Sequence, residues 1–232
     1  MLVWFCGVVL AQVSQESATV AASRNDWLVR VMENNAKARQ RAGEIHLVFD
    51  GDSITDSWPR GGGRIWKDRY EKIGVVDFGI AGDRTQNVLW RLKNGQMDGL
   101  KPRLIVLLIG TNNIPKDDAD GIVAGISEIV EEYRRRCPDA VILLQGIFPR
   151  GKNDNPLRTK IKMVNERIAK LADGDKVIYF DFGEKFLNPD GSMSAEVMPD
   201  FLHPASKGYT IWAEAIQPMI DACFSDSVAP VK

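Results

Sequence analysis

The chain has 232 residues, with 30 Lys plus Arg against 31 Asp plus Glu and a formal net charge of -1. At this length folding buries roughly 70 to 75% of the surface exposed by the unfolded chain, so one domain can hold a sizeable core without disulfides. The near-neutral balance supplies no electrostatic footprint for nucleic acid or an anionic membrane, which leaves a small neutral ligand as the default.

In chain order, the first stretch is MLVWFCGVVLAQVSQ, residues 1–15. It is an apolar block of signal-peptide length, well below the ~20 residues that span a bilayer, so no stable membrane insertion is expected. Export to the periplasm or the medium is the expectation, with Val9-Leu10-Ala11 as the small-residue cleavage pattern. A buried N-terminal helix or strand is the competing reading. The chain is accordingly drawn as a leader and N-terminal tail over 1–22, one domain over 23–223 and a short polar tail over 224–232.

Five apolar, β-branched runs follow: IHLVF at 45–49, VVDFGI at 75–80, LIVLLIG at 104–110, VILLQGI at 141–147 and VIYFDF at 177–182. They are continuously apolar, the pattern of strands buried on both faces. Helical periodicity falls between them, at 83–95, 119–137 and 156–173, and once more at 206–223. Strand and helix alternating in this way predict an α/β fold with a five-stranded parallel sheet, covered on both faces and joined by right-handed crossovers. Ligands of such sheets bind outside the carboxyl ends of the strands. Those ends are DGDSIT, GIAGDRT, GTNN, GIFPRGKNDN and GEKFLNPDG.

Ser53 follows the first strand within Asp50-Gly51-Asp52-Ser53, where Gly51 permits a tight turn. A serine hydroxyl attacks only when a base takes its proton. Two histidines exist, and His46 stands at the wrong end of its strand. His203 lies in PDFLHPASKGY just before the last helix, with Asp200 three residues earlier. On a turn of helix-like geometry that spacing puts both side chains on one side, so Asp200 can orient His203 and His203 can serve Ser53. Alone, D-x-x-H reads more readily as an N-cap Asp with an incidental His, and it is the pairing with Ser53 and the absence of another base that turns it toward catalysis. Oxyanion donors are available from the backbone of Gly82 and the amide of Asn112; their plainer reading is a helix entry, with Asp83 to Gln86 as a capping box, and a turn.

Other features carry less chemistry. Gly61-Gly62-Gly63 lacks the Lys-Ser/Thr of a phosphate loop, and no CxxC or HExxH occurs, so neither metal nor cofactor is expected. Asp117, Asp118 and Asp120, like Arg134 to Arg136, suit the two ends of one helix. Cys137 and Cys223 are left as either one disulfide or two buried thiols.

Taken together, DGDSIT with Ser53, FGIAGD with Gly82, IGTNN with Asn112 and DFLH with Asp200 and His203 resemble the SGNH hydrolases, or GDSL esterases, in that family's order. Within it, VLWRLKNG, PRGKNDNPLR and DFLH look like the branch of platelet-activating factor acetylhydrolase catalytic subunits. The resemblance implies a flavodoxin-like three-layer α/β/α sandwich, no metal, and a Ser53-His203-Asp200 triad acting through an acyl-enzyme. It also implies an oxyanion hole of Ser53, Gly82 and Asn112, and an acyl pocket walled by Ile54, Thr111 and Leu202 that favours acetyl. A homodimer is a further implication. Ala81 departs from the glycine usual in the family.

The expected substrate is a small-molecule or polysaccharide ester, foremost an O-acetylated carbohydrate, since exported bacterial members often deacetylate carbohydrates. Trp58, Trp66 and Tyr70 are read either as platforms for sugar rings or as core. A short-chain phospholipid, aryl ester or thioester is the alternative, and a non-catalytic carbohydrate-binding module the minor one.

Overall fold

The computed structural model describes residues 17–25 and 27–225. Five strands, β1 Leu47–Gly51, β2 Val75–Asp77, β3 Leu104–Leu108, β4 Val141–Gln145 and β5 Val177–Phe180, pair in parallel in the order β2-β1-β3-β4-β5. Eight α-helices accompany them: α1 Leu28–Gln40, α2 Ser53–Asp56, α3 Trp58–Gly61, α4 Gly63–Ile65, α5 Thr85–Lys93, α6 Ala119–Arg136, α7 Pro156–Ile168 and α8 Ser206–Phe224. All five predicted strands and four predicted helices are present, in the three-layer arrangement expected, and the strand order is that of flavodoxin-like folds.

The period-2 alternation of each strand sorts the core into two layers. Val48, Ile105, Leu107, Ile142 and Leu144 face α5, α6 and α7. Leu47, Phe49, Val106, Leu108 and Leu143 face α8 and the aromatic residues Trp58, Trp66 and Tyr70. Asp50 falls on the first of these faces by the same alternation, which places a carboxylate among apolar neighbours. Its partners are described below.

Helix α1 is absent from the expectations because its buried face consists of Val31, Asn35 and Ala38 alone. Such a narrow, partly polar stripe produces almost no apolar periodicity. Residues 17–22 lie against the domain: Ala18 is buried, the Ala22 N–H donates to Gln86 O, and Thr85 Oγ1 donates to Ala18 O. The apolar block at 1–15 and its cleavage pattern lie outside the described residues. Cys137 and Cys223 are free thiols. Among the described residues no helix is long and apolar enough to cross a membrane.

The sheet order reverses after β1, since β2 lies on one side of it and β3 on the other. That reversal opens a crevice at the carboxyl ends of β1 and β3. Ser53 and Asn112 follow those two ends directly.

Candidate active site

Strand β1 ends at Gly51, where a Cβ would stand 2.2 Å from Leu108 O of the neighbouring strand. Glycine is required there by close backbone approach; the residue is not among those with positive φ. Asp52 then caps α2, its Oδ1 accepting from the Ile54 N–H at 3.0 Å. Ser53 is the first residue of that helix, whose opening N–H groups have no partner within the helix.

Ser53 Oγ lies 2.9 Å from His203 Nε2, and His203 Nδ1 lies 2.6 Å from Asp200 Oδ2. The other oxygen, Asp200 Oδ1, accepts from the backbone N–H groups of Leu202 and His203 at 3.1 and 2.8 Å. Partial burial alone would raise the Asp200 pKa, but those N–H groups and His203 outweigh it and hold the carboxyl below its ordinary value. An ionised carboxylate can only accept, so Nδ1 carries the ring proton and the Nε2 lone pair faces Ser53 Oγ.

The segment joining Asp200 to His203 is not helix-like, as the spacing had suggested. Phe201 adopts φ 59°, the one positive φ outside glycine among the described residues. This left-handed residue turns the chain so that one carboxylate meets both a backbone N–H pair and the imidazole. Backbone bonds hold the bend, from Phe201 N to Met198 O at 2.9 Å and from Gly151 N to Phe201 O at 2.8 Å.

The loop after β2 contributes Gly82 with φ 82°. From the end of β3, Asn112 donates through Nδ2 to Asp83 O at 2.9 Å, leaving its second amide N–H for another acceptor. Asp83 and Gln86 do not form the anticipated capping box. Helix α5 begins one residue later than that box requires, and Asn87 Oδ1 accepts from the Arg84 N–H at 2.9 Å instead. Asp83 turns inward. Its Oδ2 accepts from Arg91 Nε at 2.9 Å and its Oδ1 from Trp27 Nε1 at 2.6 Å.

Arg91 is 1% exposed and also donates through Nη2 to Asp50 Oδ1 at 2.9 Å. Gln96 Nε2 and the Tyr133 hydroxyl donate to the remaining oxygen, Asp50 Oδ2. Burial pulls the Arg91 pKa down, but the two carboxylates more than offset it and hold it above the usual arginine value. One guanidinium thus ties the strand that leads to Ser53 to the loop that carries Gly82. The residue-level reading had missed it, although one signal was available: Arg91 sits three residues after Val88 and one before Leu92, on the apolar side of the helix.

Of the residues expected to wall the acyl pocket, Ile54 and Thr111 are buried and Leu202 is half-buried. Arg150 reaches Thr111, donating through Nη1 to its carbonyl at 2.8 Å. Trp58, Trp66 and Tyr70 are no sugar platforms. All three are buried against Phe49, with Trp212 and Tyr209 packed at a tilt against Trp58. His46 is exposed at the opening end of β1, remote from the crevice. Asp52, next to Ser53, is buried, and burial, helped by Asp83 and Asp50, pushes its pKa from 3.8 up to about 7.

Comparison with known proteins gives three kinds of likeness. The model of the GDSL-like Lipase/Acylhydrolase family matches residues 49–211. Platelet-activating factor acetylhydrolase IB subunit alpha1 of Homo sapiens is 36% identical over 178 residues, 76% of this chain and 76% of that protein. Subunit alpha2 of Rattus norvegicus is 38% identical over 170 residues, 72% of each. Among solved structures, a GDSL-like lipase from Bacteroides thetaiotaomicron superposes with TM-score 0.71 at 22% identity, covering 85% of this chain and 98% of that one. An acetylxylan esterase from Geobacillus stearothermophilus does so with TM-score 0.59 at 23% identity, covering 76% and 94%. At such identities the two structures speak for the fold.

Proposed function

The chain belongs to the GDSL-like lipase/acylhydrolase family and is a carboxylic ester hydrolase, and from that premise we propose that it is a serine esterase removing acetyl or another short acyl group through Ser53, His203 and Asp200. The observation that carries this reading is the unbroken relay from Ser53 Oγ to His203 Nε2 at 2.9 Å and from His203 Nδ1 to Asp200 Oδ2 at 2.6 Å.

In the first half-reaction His203 Nε2 takes the Ser53 proton as Oγ bonds to the ester carbonyl carbon. The carbonyl π electrons move to oxygen, and the resulting oxyanion is met by the N–H groups of Ser53 and Gly82 and the Asn112 amide. Collapse breaks the bond to the alkoxy oxygen, which leaves with the proton held by His203. Water then repeats the sequence on the acyl-enzyme, giving the carboxylic acid and restoring Ser53. Asp200, accepting from Nδ1, keeps the imidazole in the required tautomer and supports its positive charge in the transition state. Ile54, Thr111 and Leu202 bound the space for the acyl group and hold it to a short chain.

For the alcohol portion we favour an O-acetylated carbohydrate, a choice that leans on the apolar block at 1–15 and the export it implies. A short-chain phospholipid is the second reading, favoured by the 36 to 38% identity with subunits named as platelet-activating factor acetylhydrolases. The deciding measurement is acetate release by the purified protein from acetylated xylan and from a platelet-activating-factor analogue, side by side. Xylan alone as substrate is the expected result, and release from the phospholipid alone would overturn the carbohydrate choice. Ser53→Ala is expected to lose turnover on either substrate while keeping its thermal transition. Unaltered turnover in that variant would remove Ser53 as nucleophile.

A further inference from the structure

The peptide joining Ala81 to Gly82 is held from an unexpected quarter. Arg24, in the segment that precedes α1, donates through Nη1 to Ala81 O at 3.0 Å and to Asp83 Oδ1 at 3.3 Å. A Cβ on Gly82 would stand 3.0 Å from that same nitrogen, so the guanidinium lies directly over the glycine. Three residues further along the chain from Arg24, Trp27 Nε1 donates to Asp83 Oδ1 at 2.6 Å. Asp83 is fully buried, and its own carbonyl takes the Asn112 amide at 2.9 Å.

Ala81 C=O and Gly82 N–H belong to one planar trans peptide, with no cis bond among the described residues. In such a unit the C=O and N–H bonds point in opposite directions, so whatever fixes the carbonyl also aims the N–H. A cation on the carbonyl oxygen further withdraws electrons along the amide and strengthens the N–H as a donor. The carbonyls on both sides of Gly82 are thereby anchored, Ala81 O by Arg24 and Asp83 O by Asn112. The anchors on Ala81 O and on the Asp83 carboxylate come in part from residues 24 and 27, which precede the 49–211 region matched by the family model.

We propose that Arg24 is a positioning residue of the reaction: it aims and polarises the Gly82 N–H through the Ala81–Gly82 peptide, while Trp27 and Asp83 lock the loop that carries it. The segment before α1 is therefore part of the oxyanion machinery and not merely a lead-in to the domain. This inference rests on the serine-esterase reading. Because the contact acts on a donor used mainly when negative charge has developed on the substrate oxygen, its loss falls on kcat and spares KM.

The test uses the full chain with Arg24→Met, Arg24→Lys and Trp27→Phe, together with Ser53→Ala. Four quantities are followed: kcat and KM on p-nitrophenyl acetate, the urea midpoint, and the affinity for an alkyl trifluoromethyl ketone, which forms a tetrahedral oxyanion on the serine. Arg24→Met is expected to lower kcat and ketone affinity in parallel, by about tenfold, with KM and the urea midpoint unchanged. Arg24→Lys, which keeps a cation at the carbonyl, is expected to recover at least a third of the wild-type kcat. Trp27→Phe is expected to lower both quantities by a smaller, matched factor. Wild-type kcat and ketone affinity in Arg24→Met would overturn the proposal, as would a loss that tracks the urea midpoint. A wild-type protein that neither turns over nor binds the ketone would overturn the serine-esterase reading and this inference with it. Turnover abolished by Ser53→Ala but untouched by Arg24→Met would sink the inference alone.

Discussion

The two halves of the proposed active site are built in opposite ways. Ser53, Gly82 and Asn112 rest on a buried polar network in which Asp50, Asp83 and Arg91 are 0 to 1% exposed. His203 and Asp200 stand on a loop where their side chains are 39% and 57% exposed. The first half is set by long-range contacts, with Arg91 and Asp50 separated by 41 positions along the chain. The second is set within a few residues, by one carboxylate gathering two backbone N–H groups and one imidazole. The contrast teaches that a site can be rigid on the side where charge develops while its proton relay depends on local turn chemistry. The two sides should therefore fail differently.

The largest expected effect breaks the exposed half. Asp200→Asn retains an oxygen to accept one ring or backbone proton but loses the charge, and should lower kcat by roughly 10⁴-fold. Its thermal transition should shift little, because the loop is solvated. Steady-state kinetics beside a thermal melt tests this, and a coupled loss of folding would show that the loop is structural.

Next in size is Arg91→Met, which attacks the buried half. It leaves Asp50 and Asp83 without their shared cation, a situation costing about 3–5 kcal/mol. Urea denaturation should report that loss, together with weakened turnover as the Gly82 loop loosens. A midpoint like that of the wild-type protein would mean that Gln96, Tyr133, Trp27 and Arg24 satisfy the two carboxylates without Arg91.

The smallest effect sharpens the contrast through pH. In the buried half, burial raises the Asp52 and Asp83 pKa values, whereas Asp200 in the exposed half is held low. Asp52 moves from 3.8 to about 7, so between those values the folded state keeps a proton that the unfolded chain has released. Stability then falls as pH rises through that window, by up to about 4 kcal/mol at ~1.36 kcal/mol per pH unit. Asp200 has the opposite sign: its contribution is present above the unfolded pKa and is lost as pH falls through the folded one. Asp52→Asn should flatten the decline across pH 4 to 7 in urea titrations, and an unchanged slope would assign the decline to other groups.

Much of this molecule is readable along the chain. The five apolar runs, the intervening helical periods and the order of the Ser53, Gly82, Asn112 and Asp200–His203 blocks follow from patterns of a few residues, because strand burial and turn chemistry are local. The residues proposed as a triad could be named for the same reason: Ser53 and His203 lie in loops at one edge of any parallel sheet built from those runs, and no other histidine reaches that edge. What the chain could not disclose is which polar residues are buried and against what. Arg91 shows only that it lies on the apolar side of its helix and not what it meets there, Arg24 looks like a solvated residue before a helix, and Trp58, Trp66 and Tyr70 look like candidates for a ligand surface. Only the packing of β1, α5, α8 and the N-terminal segment decides these matters. Burial is a property of the neighbours that tertiary structure brings together, and it turns one arginine into a clamp, another into an aim for a peptide N–H, and three aromatic side chains into core.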